Sequence, residues 1–491
     1  MPERRIKVYH EHPLRIIRYA SKNIWLLIFP LLRGIRSIRL DFDALYVWLK
    51  GAWFDLLIII AIIGFGYIKW YFTEFEITSS EIIRRSGIII KHKVSIPFKN
   101  ISAVTAEHSF YLRPFYAVRL NLDTRAGAFS KSDMSLLVRR SDLRWISKAI
   151  PQSEHHSGKK SLVIQPKWFA IVFFSLVFSS SLSGVVYLAA LLFQSGRFAH
   201  EIIEQEMGDM IKFANTVSAK FTLSIPPAAV LLGILIIVAW LFSFISNMFR
   251  YAGFKMKKES GTLKVRMGVG TVRQYHIVPP KINYVDLRQN LVMKLFKTSS
   301  VNISCSGYGN EKNELPVLLP ILNRRQANRA LELIGFRKYV VKRKSRVSKQ
   351  AVISYLGLPS LAAFLIPVVS DIIVYFYPTL KDLFYFIKFM GEIPVIWMFV
   401  VKTIALMTSG VTIKDDFCCL RYSRFYAFHT ILADNDKLVK IQIVQDPIGE
   451  KIGRCRMDFY FSSESSKSKK LKGVKIEDAL KIIEHFGFLY K

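Results

Sequence analysis

A two-residue apolar alternation that stops and restarts at fixed landmarks, from Phe75 to Gly127, sets what this chain can become. Phe75 and Ile77 alternate with polar neighbours, Thr78-Ser79-Ser80 turns, and Ile82 to Arg85 runs on to Gly87. Ile88, Ile90, Val94 and Ile96 keep the period, Pro97 halts it, and Ile101 to Val104 restarts it. Val118, Leu120 and Leu122 alternate again before Arg125-Ala126-Gly127. Period two, broken by turn residues, predicts antiparallel strands. After Met134 to Val138, Ser141 can cap a helix reaching Ile150, with Asp142 in its first turn. The expected unit is a small antiparallel β-roll or barrel closed by one C-terminal helix.

The grammar returns twice. Phe254 opens a second copy, with Gly268 in the place of Gly87, Ile277-Val278-Pro279 for Ile96-Pro97, and Ser306-Gly307 for Ala126-Gly127. A helix is expected over Arg324 to Leu333. Val411-Thr412-Ile413-Lys414 opens a third, more divergent copy, in which no glycine marks the second turn. There Gln445-Asp446 stands where His108-Ser109 and Gln289-Asn290 stood, and an amphipathic helix from Ile476 closes the chain. A module repeated at long period points to binding or assembly before it points to one active site.

Long apolar runs separate the copies, and hydrophobic residues make up 51% of the chain, as expected of membrane spans. Trp53 to Trp70 is one such run, bracketed by interfacial aromatics. Ile24 to Leu32, inside 22–40, is short for a span and reads as a hairpin arm or an interfacial helix. Further spans are expected at 168–193, 224–249, 352–376 and 391–409. The domain plan is a basic segment with a first hairpin (1–72), module one (73–151), a linker (152–166), a second hairpin (167–250), module two with a basic tail (251–350), a third hairpin (351–410) and module three (411–491). Glu201, Glu204, Glu206 and Asp209 crowd the loop between the second pair of spans, whereas Lys255, Lys257, Lys258, Lys264 and Arg266 follow it. The positive-inside rule then puts all three modules on the cytoplasmic side of the cell membrane. Ser179-Ser180-Ser181-Leu182-Ser183-Gly184 suits close helix packing more than a polar path.

The phenylalanine opening Phe75-Ile77-Thr78, the turn Arg85-Ser86-Gly87, the step Ile96-Pro97 with Ile101, and the late turn Ala126-Gly127 resemble the bacterial pleckstrin-homology-like family called the membrane-flanked domain. Three copies between hydrophobic hairpins resemble the YdbT-type multi-pass proteins of Gram-positive bacteria. The resemblance implies α+β architecture, with three pleckstrin-homology-like modules alternating with transmembrane hairpins. It implies no catalytic residue and no cofactor.

The formal charge of +34 fits attraction to anionic lipid. No helix-turn-helix, finger or RNA-binding aromatic motif accompanies it, so nucleic acid is not the expected partner. Cys305, Cys418, Cys419 and Cys455 fall in modules expected to stay reduced, without zinc-site spacing. His155-His156 lies in the linker with no further ligand placed beside it. No nucleophile elbow, P-loop or His-Glu-x-x-His occurs, and Ser306 to Gly309 is too short to cradle phosphate. Arg84, Arg85, Lys91 and Lys93 flank the Gly87 turn, and Lys257, Lys258, Lys264 and Arg266 flank its counterpart, as candidates for a headgroup or partner contact. Arg343 and Lys344, in the basic tail, are candidates of the same kind, while the third copy offers Lys414, Arg421 and Arg424 instead. Asp371 is the candidate polar site inside a span. The leading expectation is a non-enzymatic scaffold whose modules bind one another, anionic lipid, or a companion membrane protein of the same family, with strand addition as the means. A transporter or export accessory with a path through the hairpins is the alternative, and an enzyme comes third.

Overall fold

The computed structural model describes residues 8–19, 60–88, 90–124, 132–142, 163–178, 212, 216, 227–259, 261–305, 317–336, 345–414, 416–462 and 468–485. The segment 22–40, residues 53–59, the helix at 143–150, the turns at Ala126-Gly127 and Ser306 to Gly309, His155-His156, the serine run 179–184, the acidic loop 201–209 and Arg343 and Lys344 lie outside them.

Three units repeat one order of elements. In unit 1, β1 (Val8–His10), β2 (Glu74–Ile77), β3 (Glu81–Ser86) and β4 (His92–Pro97) form a four-stranded antiparallel meander. A 3-10 turn at Phe98–Asn100 leads to β5 (Ile101–His108), β6 (Ala117–Thr124) and β7 (Met134–Arg139). Unit 2 has β8 (Val163–Ile164), β9 (Lys255–Glu259), β10 (Thr262–Met267) and β11 (Val272–Ile277). The turn Pro279–Lys281 then precedes β12 (Tyr284–Asn290), β13 (Thr298–Ser304) and β14 (Val317–Asn323). Unit 3 has β15 (Ser345–Arg346), β16 (Gly410–Ile413), β17 (Phe417–Arg424) and β18 (Ala427–Asp434). Its turn Asn435–Lys437 precedes β19 (Leu438–Val444), β20 (Arg454–Phe461) and β21 (Lys469–Lys475).

Period two does the local work. Leu263, Val265 and Met267 of β10 are buried, while Lys264 and Arg266 between them point outward. Each core fills the space between a unit's two half-sheets. Phe75, Ile82 and Ile96 meet Val104, Leu120, Leu122 and Leu136 in unit 1. A helix closes unit 2 at Arg324–Ile334, where Asn323 and Gln326 form a capping box and Gly335 ends it at φ 102°. Ala327, Ala330, Leu331 and Ile334 give that helix its buried stripe. Ile476–His485 closes unit 3 on Ala479, Ile482 and Ile483, with Glu477 and Asp478 favouring its N-terminus.

Gly87 and Gly268 are fixed by sterics. Their φ angles are 121° and 101°, and a Cβ would lie 1.9 Å from the Ile90 carbonyl oxygen or 2.2 Å from that of Thr271. The third unit lacks this glycine because its strands pair up to a two-residue turn, where the first two units turn through five residues. Arg424 pairs with Ala427 around Phe425-Tyr426, and Phe425 takes the positive φ of 48°.

Each unit opens before its hairpin rather than after it. β1, β8 and β15 pair with β2, β9 and β16, the first strands on the far side of the intervening apolar segment. The chain therefore leaves a sheet, makes an excursion and returns one strand away. Helices Val352–Phe376 and Lys381–Thr408 form the third excursion. The first coincides with the expected span 352–376; the second begins ahead of 391. At 25 residues, Val352–Phe376 is ~37 Å long, enough for a bilayer core. Val352–Phe376 and Ile387–Thr408 are both long and apolar enough to cross a membrane, and protein covers little of either. Trp168–Phe178 and Pro227–Tyr251 belong to the second excursion, and Ile60–Tyr71 ends the first. The excursions are seated in the units: Ile171, Phe174 and Tyr251 join the core of unit 2, and Tyr355, Val401 and Ala405 that of unit 3.

Candidate functional site

The consecutive strands β4 and β5 lie in different sheets, and so do β11 and β12, and β18 and β19. The three-stranded half of unit 1 continues into the four-stranded half of unit 2 through β5 and β11, making one seven-stranded sheet. Likewise β12 of unit 2 pairs with β18 of unit 3. The units are joined by strand addition.

Both joints use one register, counted from the first residues of the three turns, Phe98, Pro279 and Asn435. His276, three before Pro279, faces Val104, six after Phe98. Leu432, three before Asn435, faces Val285, six after Pro279. At the first joint, Arg273 Nε lies 3.3 Å from Glu107 Oε1, and Arg119 Nη1 lies 3.2 Å from Glu107 Oε2. Lys281 Nζ reaches back to donate to the Lys99 and Ile101 carbonyls at 2.5 and 2.6 Å. Burial, with Lys264 beside it, lowers the His276 imidazole to about 4. At the second joint the buried Asp286 carboxylate meets His429 Nδ1 at 2.7 Å, and the imidazole stacks on Tyr422. Lys294 Nζ sits 3.8 Å above the Phe428 ring.

A second surface lies where the hairpins emerge. The link after β5 exposes Phe110, Tyr111, Phe115 and Tyr116 beside Arg113, and its counterpart after β12 exposes Leu295, Phe296 and Lys297. Tyr116, Lys297 and Gly453 end the three equivalent links with φ of 54°, 53° and 67°. Phe296 packs edge-on against Phe173 of the second hairpin, and Lys294 Nζ reaches Thr408 Oγ1 at the base of the third. The β10–β11 turn is on the same side, since the Gly268 and Val269 amides cap the Ala252 and Phe249 carbonyls at the end of Pro227–Tyr251. Its unit 1 counterpart exposes Ile90 at 70% with Lys91 and Lys93. Exposed apolar side chains among cations at a hairpin base suit a headgroup region.

Most of the basic residues singled out in the sequence have protein partners. Arg84 Nε binds the buried Glu11 carboxylate at 3.0 Å, Arg15 binds it at 2.9 Å, and Arg84 also donates to the Tyr19 hydroxyl. Burial raises the Glu11 carboxyl above its usual range, against the pull of both arginines. Arg85 pairs with Glu76 at 3.1 Å. Lys257 and Lys264 share Glu259 at 2.7 and 3.1 Å and hold its carboxyl down at about 2. Lys258 donates to the Leu333 carbonyl at 2.9 Å. Lys91, Lys93 and Arg266 are exposed. Asp371 is bound by Lys388 of the neighbouring helix at 3.0 Å, a little over a turn from the hairpin tip, so the two charges clip the helices together. The four cysteines are buried thiols, and burial pushes Cys455 up to about 11. Among the described residues no three His, Cys, Asp or Glu side chains gather as a metal set. The cross-joint groups Glu107, Arg273, Asp286 and His429 were not visible as sites in the sequence, because their partners lie more than a hundred residues away. The aromatic run Phe110-Tyr111 to Phe115-Tyr116 around Arg113 was visible and is the local signal of the exposed link.

The family of bacterial PH domains matches residues 30–150 and 215–338, which contain most of units 1 and 2 and the ends of the hairpins before them. Those two stretches are bacterial PH domains. Unit 3 repeats their strand order and their joint register. The chain is also similar to the UPF0699 transmembrane protein YdbT of Bacillus subtilis (strain 168), 21% identical over 371 residues, 70% of this chain and 73% of that one. No solved structure matches it. A membrane protein whose bacterial PH domains are linked edge to edge is what the geometry and the likeness describe together.

Proposed function

We propose that this chain is a non-enzymatic, multi-pass scaffold of the cell membrane, holding three PH-like units in a row on the cytoplasmic side. One observation carries the reading: two joints of identical register turn three domains into a continuous β structure. A protein built to present one pocket does not need its domains locked at fixed spacing, whereas an assembly platform does. Pairing of the strands that flank each excursion supports an even number of crossings per excursion, and the basic residues after the second hairpin, set against the acidic loop within it, support the cytoplasmic side. The exposed aromatic and basic links support contact with anionic lipid.

Two measurements test it. Phe110→Trp in the reconstituted chain should fluoresce at shorter wavelength in anionic than in zwitterionic vesicles, and an unchanged spectrum contradicts the lipid contact. Native mass spectrometry of the chain extracted with its membrane neighbours should show higher-order species. A lone chain carrying only bulk lipid contradicts the scaffold.

A further inference from the structure

The row made by the two joints ends in two halves of a third. β4 holds in unit 1 the place that β11 and β18 hold in units 2 and 3, directly before the 3-10 turn. β19 holds in unit 3 the place of β5 and β12, directly after it. Among the described residues both lie at the edge of their sheets, with one partner strand each. β4 exposes His92, Lys93, Val94 and Ser95, and β19 exposes Val439, Lys440 and Gln442.

We propose that β4 of one copy of this chain pairs with β19 of a second copy, antiparallel and in the register of the internal joints. The proposal rests on the scaffold reading and names its partner. Carried over, the shared register sets Ser95 opposite Ile441, Val94 opposite Gln442, Lys93 opposite Ile443 and Ile96 opposite Lys440. Lys93 and Lys440 then fall on opposite faces of the joined sheet, so no two like charges confront each other. The placement of cores also carries over. At the first joint Val104 and Ala106 face the core of unit 1, while Tyr275 and Ile277, on the adjoining strand and the opposite face, serve unit 2. In the third joint Ile96 faces the core of unit 1, and Ile441 and Ile443 pack on that of unit 3 from the other face. Pro97 lacks an N–H where Val278 makes the long 3.4 Å bond to the Ser102 carbonyl, so the bond forgone is the weakest at that end. Such a contact is head-to-tail and leaves one β4 and one β19 free at the ends, so copies extend into rows or close into rings. Because it repeats the internal joint, every hairpin leaves from the same side, as one bilayer requires.

Edge lysines also serve to repel stray strands, and the test separates that role from pairing. Full-length chain is prepared as two differently tagged pools, Val94→Cys and Gln442→Cys, with the four buried native thiols kept, and both pools are reconstituted together with a short bismaleimide. The expected product is a dimer carrying both tags, at least tenfold more abundant than from either pool alone. Val94→Arg with Gln442→Arg should abolish association, and Val94→Arg with Gln442→Glu should restore it, with unchanged melting temperatures as the folding control. Absence of the two-tag product, equal yields from single pools, or indifference to the charge pair overturns the proposal. A purified chain that stays single removes only the second copy as partner. The scaffold reading falls only if the chain extracted with its native neighbours is alone as well.

Discussion

Glu107 of the first unit and Arg273 of the second meet at 3.3 Å across the β5–β11 joint, with Arg119 on the other carboxylate oxygen. Glu107 is mostly buried, so removing it leaves two guanidinium groups short of a partner. Glu107→Ala is expected to cost about 1–3 kcal/mol and to open this joint first. Hydrogen exchange should accelerate in β5 and β11 while β12 and β18 keep their protection.

Acid should loosen the same joint. The His276 imidazole is held at about 4 in the fold, against an ordinary value of 6.5. Its lowered value means that its contribution is fully present above pH 6.5. That contribution is lost as pH falls through about 4, because the unfolded chain takes up the proton first. The full swing is up to about 3 kcal/mol. His108, lowered mainly by burial and then by Arg140, acts in the same direction. Melting temperature measured between pH 7 and 4 should fall, and His276→Gln should flatten the decline.

Glu11 ties the N-terminal segment to the first unit through Arg84, with Arg15 of its own segment on the other carboxylate oxygen, while its carbonyl accepts the Trp70 indole N–H at 2.7 Å. Glu11→Ala strands two largely buried cations and should cost about 3–5 kcal/mol. A thermal melt of the full chain reads this, and Glu11→Gln should lose less than Glu11→Ala.

The two turn glycines should be far less replaceable than a glycine with open space around it. Gly268→Ala drives a Cβ to 2.2 Å from the Thr271 carbonyl oxygen, whereas at Gly253 nothing lies within 4 Å. Gly253→Ala should cost about 1 kcal/mol from its positive φ alone, and Gly268→Ala clearly more. Equal melting temperatures for the two variants would contradict the steric account.

Much of this was legible in the chain. The alternation around Phe75 and Ile77, the step at Ile96-Pro97, and the glycines at 87 and 268 each encode a local geometry, and local geometry repeats as sequence. The helix from Ile476 shows in the same way, through the spacing of Ala479, Ile482 and Ile483. What escaped was non-local. Strands β1, β8 and β15 have two or three residues, too few to display a period. Their role is fixed only by the strand that returns from the hairpin. Asp371 looked solitary because Lys388 stands on the other helix of its hairpin. The joints escaped for the same reason: nothing near Thr105 says that Tyr275 will lie beside it.

The central claim is that strand addition fuses the three units, and site-resolved hydrogen exchange on the reconstituted chain tests it most directly. The amides of β11 and β18 that point away from β10 and β17 should exchange as slowly as those that point toward them, because β5 and β12 receive them. If the outward amides of β11 and β18 exchange at the rate of open-edge amides, the joints do not exist in the membrane.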